Sequence, residues 1–90
     1  METAEQWVDR APVPDAVLDG GEEEWNVLLQ AIERSLARMT PGDALEIVSQ
    51  DPRTRATVPA WCLLHGHDLL RTVAEGSCTC FLVRKGAQQG

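Results

Sequence analysis

Three thiols, two imidazoles and a run of three carboxylates are the side chains with the most chemical potential in this 90-residue chain. Cys62 follows Trp61, while Cys78 and Cys80 lie two residues apart. A thiol is a nucleophile only as its thiolate, so each cysteine can work only where a cation, a metal or a helix N-terminus lowers its pKa. Cys62, His65 and His67 also bring soft and borderline metal ligands within six residues. Gly66 between the two histidines breaks the element that carries them, so the imidazoles are expected to diverge, and no metal or cofactor is assigned. His67 is expected to make a hydrogen bond at the start of a strand rather than to act as an acid or base. Glu22, Glu23 and Glu24 complete the set, either as solvent-facing carboxylates or as an acidic docking edge beside Trp25.

These residues must be positioned by one small domain. Ninety residues permit a single core, and 43% hydrophobic residues suffice to build it. A formal charge of −6 repels the phosphate backbone and argues against nucleic-acid binding. No run of about 18 apolar residues is present, and Met1, Glu2, Glu5 and Trp7 do not make a basic leader, so neither membrane insertion nor secretion is expected. An odd number of cysteines suits a reducing cytoplasm better than a disulfide framework.

Residues 1–14, with Pro12 and Pro14, read as a flexible N-terminal leader whose Trp7-Val8 pair could dock on the domain, and 87–90 as a C-terminal tail. Between them, 15–86 form the domain. A strand over Ala16–Asp19 is closed by Gly20-Gly21. A helix follows, with the three glutamates expected in its first turn and Trp25, Leu28, Leu29, Ile32, Leu36 and Met39 at helical spacing on its apolar stripe. Thr40-Pro41-Gly42 ends it. Ala44–Ser49 alternates as a strand, and Gln50-Asp51-Pro52 breaks it. A second helix includes Val58 to His65, with Pro59 tolerable in its first turn and Gly66 as C-cap. Two last strands, His67–Ala74 and Cys78–Lys85, flank a turn at Glu75-Gly76-Ser77. The order βαβαββ implies an α/β (α+β) two-layer sandwich, a four-stranded mixed sheet with both helices on one face.

Leu18-Asp19, Pro41-Gly42, Asp51-Pro52, Val58-Pro59-Ala60-Trp61-Cys62, Gly66-His67-Asp68-Leu69-Leu70 and Phe81-Leu82-Val83-Arg84-Lys85-Gly86 together resemble the TusA/SirA-like sulfur-carrier family. The Pro-Ala-Trp-Cys segment with Gly-His-Asp-Leu-Leu is the most specific part. The resemblance implies a domain that accepts persulfide sulfur from a donor such as a cysteine desulfurase and passes it to an acceptor protein. In that family the sulfur rides on the cysteine of a Cys-Pro-x-Pro motif between the first strand and first helix. Ungapped counting from Leu18-Asp19 to Pro41-Gly42 puts Trp25 where the cysteine is expected, and Asn26 and Leu28 where the prolines fall. No cysteine precedes Cys62. The neighbouring glutamates would raise the pKa of a thiol placed there.

The remaining thiols have structural alternatives. Cys62 reads as a buried small hydrophobe rather than a working thiol. Cys78 and Cys80 share one face of the last strand, and if Phe81 and Val83 point at the helices, Cys80 and Leu82 lie on the open sheet face. A relocated sulfur site at Cys80, Cys78 or Cys62 is the first alternative. The second is a regulatory or dimerisation module unrelated to sulfur, using the uncovered sheet face around Leu82. The favoured reading is a cytoplasmic, non-catalytic member of sulfur trafficking that binds a donor or acceptor protein through Glu22, Glu23, Glu24, Trp25 and Leu82. The oligomeric state is not legible. Trp25 suits both the core and a plug over the family's sulfur position, with the apolar stripe favouring the core.

Overall fold

The computed structural model describes residues 13–87, so the leader with its Trp7-Val8 pair and the last residues of the tail lie almost wholly outside the described residues. Six elements follow one another: β1 (Ala16–Asp19), α1 (Trp25–Ala37), β2 (Ala44–Ser49), α2 (Pro52–His65), β3 (Asp68–Glu75) and β4 (Cys78–Arg84). The sheet order is β1-β2-β4-β3. β1 runs parallel to β2 across the α1 crossover, and β4 is antiparallel to both β2 and β3. This is the expected βαβαββ mixed sheet with its helices on one face.

Period-2 alternation sorts the sheet residues. Leu45, Ile47, Phe81 and Val83 point to the helices and are fully buried. Leu28, Ile32 and Leu36 descend from α1 at helical spacing, and Val58, Trp61 and Cys62 from α2. Trp25, Leu29 and Met39 pack half-buried at the margin of this core. The apolar stripe of α1 therefore holds as read.

Several details differ from expectation, β3 (Asp68–Glu75) lying one residue later and β4 (Cys78–Arg84) ending one residue sooner than read. α1 starts at Trp25 rather than among the glutamates, with Glu24 as an extended N-cap (φ −69°, ψ 159°) that makes no side-chain cap bond. α2 starts at Pro52, because Asp51 caps it by accepting from the Arg53 N–H at 3.4 Å and the Thr54 hydroxyl at 3.2 Å. Pro59 consequently sits inside the helix rather than in its first turn. It is tolerated because it lies on the exposed side, where the Arg55 carbonyl that lacks an amide partner can meet water. Finally, β3 carries a bulge between Leu69 and Arg71, which realigns Arg71, Val73 and Glu75 with the outward row of β4.

Two ties close the end of the domain where the helices finish. Lys85 is 7% exposed, and its Nζ donates to the Leu36 and Met39 carbonyls, both at 2.6 Å. It thereby supplies a donor to the Met39 carbonyl and a second one to the Leu36 carbonyl, which also accepts from the Met39 N–H at 3.0 Å, at the negative end of α1. Gly66 ends α2 in the left-handed conformation (φ +75°). Gly86 passes so near its carbonyl that any Cβ there would collide with it.

Candidate functional site

The loop from β1 into α1 is fixed by backbone and side-chain bonds. The Gly20 N–H donates to Val48 O at 2.7 Å, the Gln50 N–H to Gly21 O at 2.8 Å, and the Gly21 N–H to the Asp19 carboxylate at 3.0 Å. Asp19, Gly20, Gly21, Glu22 and Glu23 line an open hollow there. Glu22, Glu23 and Glu24 are exposed and precede the helix, so the first turn of α1 contains no acidic side chain. What occupies that turn is Trp25. Its indole meets Trp61 edge-on, with ring centroids 6.1 Å apart at 72°, an arrangement that favours aromatic pairs. An aromatic residue thus opens α1, its ring turned to Trp61 and not among the residues that line the hollow.

The family model for Sulfurtransferase TusA matches residues 28–85. The chain belongs to the TusA family. Among curated TusA relatives, the Sulfur carrier protein TusA of Pseudomonas paraeruginosa is 27% identical over 73 residues, covering 81% of this chain and 92% of the relative. That of Pseudomonas putida is 28% identical over 74 residues, covering 82% and 92%. The family match opens at Leu28, past Trp25 and Asn26.

None of the thiols of this TusA-family chain lies at the β1–α1 turn. Cys62 is 2% exposed in the core, and burial, with a smaller contribution from Asp68, pushes its pKa up to about 11. Its reading as a small buried hydrophobe agrees with this position. Cys78 and Cys80 lie on the sheet face that the helices do not cover, opposite the core residues Phe81 and Val83, as the alternation implies. Cys80 lines a hollow of about 210 Å³ with Glu46, Arg71, Val73, Glu75 and Leu82. Burial raises the Cys80 pKa, and Glu46, Glu75 and Cys78 raise it further, Glu46 also by a hydrogen bond. Leu82 belongs to this face but is only 3% exposed. Its cross-strand neighbours Glu46 and Arg71 flank it, making it the floor of the hollow rather than an outward contact.

The two histidines share one neighbour. One helical turn separates Trp61 from His65, and Gly66 turns the chain back, so His65 (5.5 Å) and His67 (5.2 Å) both lie against the Trp61 ring. The His67 Nδ1 accepts from the Gly86 N–H at 3.0 Å, the hydrogen bond expected of it at the start of its strand. Burial lowers its pKa, as do His65 and Lys85, against a smaller opposing effect of Asp68. Among the described residues, no group of three or more His, Cys, Asp or Glu side chains is arranged to hold a metal ion. No helix among them is long and apolar enough to cross a membrane.

Sequence reasoning missed the Trp61 cluster and the buried Lys85. Lys85 depends on the last strand returning beside the end of α1, which local spacing does not encode, whereas Trp61 and His65 lie one helical turn apart, a spacing that the sequence did carry.

Proposed function

We propose that this TusA-family protein takes part in cytoplasmic sulfur trafficking by binding a donor or acceptor protein, without carrying sulfur itself. The observation that carries the reading is Trp25 at the start of α1. Ungapped counting puts this position where the family's carrier cysteine is expected, and the indole is engaged with Trp61. The surroundings favour docking over chemistry. Asp19, Glu22, Glu23 and Glu24 form an exposed acidic rim beside the half-buried Trp25, a surface that would suit a basic partner and disfavour a thiolate. A relocated carrier at Cys80 is disfavoured by burial and by the two neighbouring carboxylates, which raise the pKa of its thiol.

The test is competition. A cysteine desulfurase loads a sulfur-carrying TusA protein in the presence of increasing amounts of this chain. Slower loading, relieved by Glu22→Lys with Glu23→Lys, is the expected result. Loading unaffected at large excess, together with no calorimetric signal for binding either protein, would contradict the proposal.

A further inference from the structure

Most helices that cover a sheet are apolar on one side and polar on the other. α2 departs from that rule. Its inward residues Thr54, Val58, Trp61 and Cys62 are buried, yet its outward side is formed by Ala56, Pro59, Ala60, Leu63 and Leu64, all exposed. Leu63 is 83% and Leu64 80% exposed, far beyond the 38% of Val73 on the uncovered sheet face. A helix apolar on both sides is expected to be covered on both.

We infer that the outer side of α2 is a self-association surface, covered by the same side of α2 from a second copy of this chain in antiparallel, two-fold packing. The order of residue sizes along the helix supports this occupant. Small residues (Ala56, Pro59, Ala60) fill the N-terminal half of the stripe and large ones (Leu63, Leu64) the C-terminal half. With Ala60 near the two-fold axis, Leu64 faces the partner's Ala56 and Leu63 lies against the partner's Ala60. Each bulky knob meets a shallow saddle twice over, the self-complementarity that an isologous interface requires. Parallel packing would set leucine against leucine and alanine against alanine, leaving gaps beside the small residues.

Charge points the same way. α2 has no acidic residue in a chain of net charge −6, and Arg53 lies at the N-terminal end of the outward side. Antiparallel packing brings Arg53 to the carbonyl end of the partner's helix and sets the two helix dipoles side by side in opposite directions, both favourable. Five side chains on one helix make a patch smaller than the roughly 800 Å² per partner of a standard interface. The dimer is therefore weak, with a Kd on the order of 100 µM. The inference concerns a surface away from the β1–α1 turn and does not depend on the sulfur-trafficking reading.

Sedimentation equilibrium of the full chain, at concentrations bracketing that Kd, tests it. The expected result is reversible monomer–dimer behaviour that weakens at least about tenfold in Leu63→Glu with Leu64→Glu and several-fold in Arg53→Glu, and is unchanged in Val73→Glu. Circular dichroism should show all variants folded, since the altered side chains are solvent-exposed. A wild type that stays monomeric throughout overturns the inference, as does a dimer insensitive to the Leu63 and Leu64 changes or one dissolved by Val73→Glu.

Discussion

Cys62 and Cys80 are both held in the thiol form, first of all by burial. Cys62 lies in the core cluster with Leu28, Ile32 and Val58, and at Cys80 the carboxylates of Glu46 and Glu75 add to the effect of burial. Neither has the helix end or the lowered pKa that makes a cysteine a fast nucleophile. At neutral pH, peptide mapping after a short pulse of iodoacetamide should find Cys62 unmodified in folded protein and labelled only in denaturant; labelling of native Cys62 as fast as that of a free cysteine would contradict its placement. His67 gives a second residue-scale expectation. Its pKa is lowered below the ordinary 6.5, so the unfolded chain binds a proton more readily than the folded one. The stabilisation is fully present above about pH 6.5 and drains away as pH falls below it, because a protonated Nδ1 can no longer accept from the Gly86 amide. Urea midpoints should therefore fall more steeply between pH 7 and 5.5 for wild type than for His67→Asn, which offers an acceptor near the same place and does not titrate. Parallel pH profiles would refute this role.

At the scale of elements, the helix ends decide how the two layers are joined. The C-terminal end of α1 relies on Lys85, a residue from beyond the last strand, whose ammonium is shared between the Leu36 and Met39 carbonyls. Lys85→Met keeps the apolar stem but takes the donor from the Met39 carbonyl, while the Leu36 carbonyl keeps the Met39 N–H, at a cost of about 1–3 kcal/mol. Chemical denaturation should show that loss with an unchanged m-value; equal stability would mean that water satisfies the carbonyls equally well. Element types were legible in the sequence because periodicity is local: Leu28, Ile32 and Leu36 announce a buried helical stripe, and the alternation through Cys80, Phe81, Leu82 and Val83 assigns each side chain its face. Element ends were less legible. Glu22, Glu23 and Glu24 look like a first turn by composition, but the hydrogen bonds at Gly20 and Gly21 hold that stretch as a loop. Asp51-Pro52 looks like a break by composition, yet it is the cap and first residue of α2.

For the whole molecule, the family pattern and the site point in different directions. The chain matches the TusA family over residues 28–85 and forms the βαβαββ order, a sheet ordered β1-β2-β4-β3 and a core between sheet and helices. Fold alone does not confer an activity, which depends on groups placed at a site. Trp25 opens α1 after the β1–α1 turn, and the three cysteines lie in the core or on the far side of the sheet. The burial of Leu82 was not legible because it depends on Glu46 and Arg71 from two other strands, the second brought into line by the β3 bulge. The central claim is a framework that binds without carrying sulfur. Its most direct test is intact-mass spectrometry of the protein after incubation with a cysteine desulfurase and cysteine, beside single Cys→Ser variants at 62, 78 and 80. The account predicts an unchanged mass in every case, while a gain of one sulfur atom that one of the variants abolishes would establish a displaced carrier thiol and contradict it.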